Sequence, residues 1–286
     1  MLAQQATARK KFQGYKREKP MTAKEPKVDR TVEKITDAWE KAHETWYLVN
    51  HQHTHDYYER VCPLVEGLGH SAMHVESFVS FFRILKNDRD TTYEFGIETF
   101  LSALINSSED NGFTLDLGCL MNIIGMGERN RKNVTITCNV GLDIGHKMES
   151  GLLHIVGDCR DGVGRKMSGG KIIVDGCSMR GTGDDENAMG MKGGTVVIKK
   201  SCQNSVGGYM KGGRIIIHGE LMATTRMVID AGSWMEGGEI HILGKTDAII
   251  GHGMSGGEIH LYDDFNEIGD VHKGKIYHKG KLIVDR

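Results

Sequence analysis

A phrase of Met-x-Gly-Gly followed by a short β-branched run recurs through the second half of the chain. Self-similarity at a fixed period limits the possible folds more than any single motif. The phrase occurs as Met148-Glu149-Ser150-Gly151 (imperfect), Met167-Ser168-Gly169-Gly170, Met191-Lys192-Gly193-Gly194, Met210-Lys211-Gly212-Gly213, Met235-Glu236-Gly237-Gly238 and Met254-Ser255-Gly256-Gly257. Successive methionines are 19, 24, 19, 25 and 19 residues apart. A β-forming segment follows each, such as Ile172-Ile173-Val174 or Ile215-Ile216-Ile217. A second short apolar segment then leads into Gly-x-x-Met, except before Met191, where Ala188 takes the glycine's place.

A unit this short cannot bury both of its faces alone, but stacked copies make a continuous core. The spacing therefore predicts a mainly β fold, a parallel β-helix of about seven coils with strands about 4.8 Å apart. The paired glycines are expected at corners of positive φ, and the methionine, isoleucine and valine side chains inside the rod. Two longer intervals, around 177–190 and 220–234, should bulge from one corner two coils apart. Insertions on one side of a solenoid often form its binding face, and Asp184-Asp185-Glu186 reads either as a solvated loop or as part of such a face.

Composition divides the chain. Residues 141–286 hold 30 of the 38 glycines, whereas residues 1–113 hold seven of the eight phenylalanines. Met1 to Arg30 carries nine Lys or Arg against three acids and reads as an extended tail, or as an arm that orders on an acidic partner. From Val28, apolar residues at threes and fours (Val32, Ile35, Trp39, Ala42, Trp46) predict a helix. Similar patterns run through Met73–Leu85 and Tyr93–Ile105, with Pro63, Gly67 and Gly69 interrupting the segment before them. The expected organisation is a basic arm over 1–27, a helical region of three or four helices over 28–110, and the solenoid over 111–286.

The net charge of −2 offers no general attraction for nucleic acid. No apolar run is long enough for a membrane span or a secretory signal, so a cytoplasmic location is expected. Cys62, Cys119, Cys138, Cys159, Cys177 and Cys202 lie far apart without a C-x-x-C pair and read as reduced structural thiols. Gly162-Val163-Gly164 and Gly181-Thr182-Gly183 read as solenoid corners, since no G-K-[ST] phrase accompanies them. His51, His53, His55, His70 and His74 are the strongest independent hint of chemistry, read either as a metal site or as surface and helix-packing histidines. His70 and His74, four apart, would share a helix face suited to a metal, although no glutamate follows His70 as H-E-x-x-H requires.

The G-x-x-M-x-G-G-x-I-x-V phrase and the ending Gly274-Lys275-Ile276-Tyr277-His278-Lys279-Gly280-Lys281 resemble the GXGXG β-helix family. That family includes the C subunit of formylmethanofuran dehydrogenase and of formyltransferase/hydrolase complexes, and the C-terminal part of the glutamate synthase large subunit. The resemblance covers Asn133 to Arg286 and is nearer to the C subunit in its 19-residue spacing. It implies a right-handed β-helix without catalytic groups, cofactor or metal of its own, acting as a scaffold for catalytic subunits. Those partners would carry the molybdenum or tungsten pterin, iron–sulfur and zinc centres. A glutamate synthase-type subunit coupling amidotransferase and synthase parts is the alternative, as is a metal-binding protein using the histidine cluster. Residues before about 113 do not resemble the usual C subunit.

Overall fold

A computed structural model describes residues 29–46, 54–85, 96–118, 125–179, 187–203, 205–222 and 229–286. Thr31–Arg286 forms one compact unit. Of Met1–Arg30, only Asp29 and Arg30 are described.

Among the described residues four helices come first: α1 (Arg30–Trp46), α2 (Thr54–Val65), α3 (Ala72–Leu85) and α4 (Ile97–Ser107). On α1, the predicted stripe is the buried one, with Ile35, Ala38, Trp39 and Ala42 turned inward. Trp39 meets the rings of Phe82 and Phe100 edge-on, with centroids 5.5 and 5.4 Å apart. Every residue of α4 from Ile97 to Ile105 is buried. It packs against α2 and α3, and α3 in turn covers the first strand of the solenoid. Pro63, expected to interrupt the chain, instead lies inside α2. It sits in the last turn, so the missing N–H removes a single bond from a helix that ends at Val65.

The rest of the chain is a parallel β-solenoid of about eight turns. Its main face is a ten-stranded sheet in the order β1 (Gly112–Leu115), β2 (Asn133–Ile136), β3 (Leu152–Ile155), β4 (Lys171–Val174), β5 (Thr195–Ile198), β6 (Arg214–Ile217), β8 (Glu239–Ile242), β10 (Glu258–Leu261), β12 (Lys275–His278) and β13 (Lys281–Asp285). Register is constant along the stack: Ile172, Val196, Ile215, Ile240, Ile259 and Ile276 sit on successive rungs. In the parallel strands of this sheet position two faces the core and position three faces outward, as the pleat requires. A second face is a ladder of single bridges through Cys159, Ser178, Cys202, Leu221 and Thr246. A third runs through Asn187, Val206 and Ala231 and widens into β7 (Asp230–Ala231), β9 (Thr246–Ile250) and β11 (Phe265–Ile268).

The sequence predicts about seven coils. The additional turn arises at the start, where the phrase is absent and Asn130 takes the methionine's place. The amide of Glu149 bonds to Asn130 O as the amides of Ser168 and Lys192 bond to Met148 O and Met167 O. Both long intervals run between the second ladder, at Ser178 and at Leu221 two rungs on, and the third, at Asn187 and at Ala231. Residues 180–186 and 223–228, which carry the expected bulges and Asp184, Asp185 and Glu186, lie outside the described residues.

Met148, Met167, Met191, Met210, Met235 and Met254 are all fully buried. Each removes apolar surface worth roughly 1.5–3 kcal/mol from water. Their ε-methyls explain why methionine and glycine recur together. A Cβ on Gly170, Gly194, Gly213, Gly238, Gly257 or Gly274 would lie 2.5–2.7 Å from the methionine Cε of the preceding turn. These second glycines have φ of 80–96° from Gly170 to Gly257. Gly151 holds the same corner in the imperfect first phrase, where a Cβ would strike Lys132 O. The expectation of positive φ for both members of the pair fails for the first. Gly169, Gly193, Gly212, Gly237 and Gly256 lack it and are required for another reason: a Cβ there would run into the carbonyl of the previous turn, such as Lys192 O at 2.7 Å from Gly212. At the far end β13 turns back antiparallel to β12, and Gly274 and Arg286 exchange backbone hydrogen bonds of 3.0 and 3.2 Å. The stack thus ends on a strand whose outer residues are largely exposed and charged at both ends.

Candidate functional site

The interior of the rod holds few groups capable of chemistry. Cys159 and Cys202 are buried in the second ladder, and burial drives the Cys159 thiol well above its usual range, which disfavours the thiolate a nucleophile needs. Cys62, Cys138 and Cys177 are half-buried, and Cys119 lies outside the described residues. Gly162 and Gly164 have φ of 81 and 70°, as a solenoid corner requires. Gly181 and Gly183 lie outside the described residues.

Of this histidine cluster, His70 and His74 have described side chains, and the two make separate contacts. His51 and His53 lie outside the described residues, and His55 is known only as backbone within α2. His70 precedes α3 and His74 lies in its first turn, so the shared helix face expected from their spacing does not form. His70 Nε2 lies 2.7 Å from Leu104 O, whereas His74 Nδ1 accepts the Ser71 N–H at 2.9 Å. Among the described residues, no three His, Cys, Asp or Glu side chains stand where one metal ion could bind them.

Two surface features stand out instead. The first is a corner formed by the residue just before each methionine of the phrase, and before Asn130 in the first turn. Arg129, Lys147, Lys166, Tyr209 and Trp234 all take left-handed φ of 50–56°, in line with Gly190 and Gly253 at 63 and 66°. Their N–H groups form a ladder, as Lys147 N donates to Arg165 O, Lys166 N to Met189 O and Gly190 N to Gly208 O at 2.7–2.9 Å. A left-handed residue with a side chain costs about 1–2 kcal/mol relative to the right-handed form. Beside this corner, Arg129, Lys147, Lys166, Lys192, Tyr209 and Lys211, with Glu149, line a groove of about 500 Å³. Sequence reasoning missed it. The signal was a long side chain one residue before most of the methionines, with glycine at Gly190 and Gly253 in its place.

At the end of this groove, Glu128 is buried beneath the helices, and burial raises its carboxyl to about 7 from 4.5, against the pull of Lys147 and Arg129. His146 Nδ1 is 3.8 Å from its Oε1. Lys147 is itself lowered by burial. Because the folded-state value of Glu128 is raised, the folded chain holds its proton longer than the unfolded chain. Stability is lost as pH climbs from 4.5 toward about 7 and stays lower above it. Glu128→Gln should therefore be more stable than wild type by about 1–2 kcal/mol near pH ~8, with the gap closing near pH ~4. Thermal melts across pH read this directly, and a gap that widens on acidification would contradict it.

The second feature lies on the outer face of the main sheet. Ile173, Val197 and Ile216 make an apolar row that continues as a ring stack on the next rungs. His241 and His260 stack at 4.5 Å and 5°, and His260 and Tyr277 at 4.6 Å and 1°. Burial lowers the pKa of His241. The neutral ring can accept a hydrogen bond from the Tyr262 hydroxyl at Nδ1 (3.1 Å) and donate one from Nε2 to Glu239 (3.3 Å).

Filled interior and patterned exterior define the chain as a stacking solenoid that presents surfaces. The sequence pattern of the GXGXG motif family matches residues 124–282, more than half of the chain. The chain belongs to that family. No curated protein matches it significantly. No helix among the described residues is long and apolar enough to cross a membrane.

Proposed function

We propose that this chain is a non-catalytic scaffold subunit of a multi-subunit one-carbon enzyme complex, of the formylmethanofuran dehydrogenase or formyltransferase/hydrolase type. What supports this reading is the packing of the rod. Buried methionines close against glycines turn after turn, while the outward rows repeat at a fixed rung spacing. A rod of that kind is suited to holding other subunits at set distances, and any metal, pterin or iron–sulfur chemistry would belong to those subunits. Membership of the GXGXG motif family and the C-subunit-like ending point the same way. A role coupling the parts of a glutamate synthase is the second reading, favoured by the same family membership alone.

The test is co-expression with amidohydrolase-type and molybdopterin-type subunits. The purified chain should show no turnover of formyl or glutamine substrates by itself and should co-purify with those subunits. Removing Thr195–Gly213, one full turn, joins Gly194 to Arg214 in register and should leave a shorter folded rod. It should abolish assembly, because every partner contact beyond the deletion moves by one rung. Turnover by the isolated chain, or unchanged assembly of the shortened rod, would overturn the proposal.

A further inference from the structure

We infer that the basic groove along the left-handed corner is a docking site for an acidic α-helix of a partner polypeptide, laid parallel to the rod. This deepens the scaffold reading by naming the chemistry of one partner. Glycine satisfies the corner at Gly190 and Gly253, so the backbone alone does not call for side chains there. Five turns nevertheless carry arginine, lysine, tyrosine or tryptophan in a conformation that disfavours them. Tyr209 and Trp234 are each 47% exposed, so their rings do not serve the core.

The charge is sorted along the rod. Arg129, before Asn130, and Lys147 and Lys166, before their methionines, occupy successive turns, and Lys192 and Lys211 follow the methionines of the next two. Gly190 leaves a notch between Lys166 and Tyr209, since a Cβ there would meet only Lys166 Cγ at 3.8 Å. Arg129 is engaged by Glu59 at 2.8 Å and Lys211 by Glu236 at 3.1 Å. Among the described residues, Lys147, Lys166 and Lys192 make no ion pair. Rungs about 4.8 Å apart nearly match the pitch of a helix, about 5.4 Å. Carboxylates three or four residues apart on one helix face would each meet one lysine. The exposed rings of Tyr209 and Trp234 would then take the apolar end of such a helix.

A nucleic acid fits less well. The one arginine of the groove is already paired with Glu59, so no free guanidinium fork is left for the bidentate contact that phosphates favour.

The test is a titration of the full chain with a fluorescein-labelled helical peptide bearing glutamate at every fourth position. Its glutamine counterpart and a mixed-sequence single-stranded RNA are titrated alongside. The acidic peptide should bind, the glutamine peptide should bind at least about tenfold more weakly, and raising salt should weaken the complex. Lys166→Glu with Lys192→Glu should reduce binding by about tenfold or more while the thermal melt is unchanged. Lys166→Gln with Lys192→Gln gives the same reading if the reversed charges disturb folding. Equal binding of both peptides, no binding of either, no effect of both lysine pairs, or tighter binding of the RNA would overturn the inference. Co-purification of partner subunits tests the scaffold reading separately, so the two can fail independently.

Discussion

Gly213→Ala is expected to destabilise the rod by about 2–5 kcal/mol, a large share of the stability of an ordinary domain. Two effects add. At φ 91° an L side chain is strained, and the new Cβ would sit 2.6 Å from Met191 Cε and 2.9 Å from the Gly193 carbonyl carbon. The methyl of methionine can move, whereas the carbonyl belongs to the preceding turn and cannot move without opening the stack. Met191→Ala alone should cost about 2–5 kcal/mol through the cavity it leaves. The double variant should be less damaged than the sum of the two, because removing Cε relieves part of the Gly213→Ala clash. Denaturant melts of the three variants provide the cycle. Strict additivity would show that the methionine and the glycine of the next turn are not coupled.

Asn187→Leu should cost about 2–4 kcal/mol although leucine has the same branched skeleton of heavy atoms. Asn187 is fully buried. Its Oδ1 accepts the Val163 N–H at 3.0 Å, and its Nδ2 donates to Ser178 Oγ at 2.8 Å and lies 3.2 Å from Cys202 Sγ. Leucine would leave the Val163 N–H without an acceptor inside the rod, and no water can reach it without opening a turn. Hydrogen exchange at the Val163 amide should accelerate in step with the loss of stability. A variant as stable as wild type would show that the asparagine only fills space. The substitution also probes the third ladder at the residue where the described chain resumes after the first long interval.

The stacked architecture was legible because a solenoid turns contacts between distant residues into fixed offsets in the sequence. Met191 touches Gly213 one turn on, and the same pair recurs at each copy of the phrase. The helical stripe of α1 was legible for the same kind of reason, since burial on one face leaves a period of three to four residues. Pro63 misled because its position in the last turn of α2 depends on where that helix stops. His70 and His74 misled because a spacing of four indicates a shared face only when both residues lie in the helix, and α3 begins between them.

What the sequence determined by itself was the period, the inward rows and hence the rod. What only the tertiary structure decided was the use of each remaining residue. A left-handed φ at Lys147 or Tyr209 follows from the backbone bonds to the next turn, and the raised pKa of Glu128 follows from helices closing over the first turn. Hydrophobic period is a local property that survives in the order of residues. Conformational strain and desolvation depend on which neighbours arrive, and these exist only once the turns are stacked.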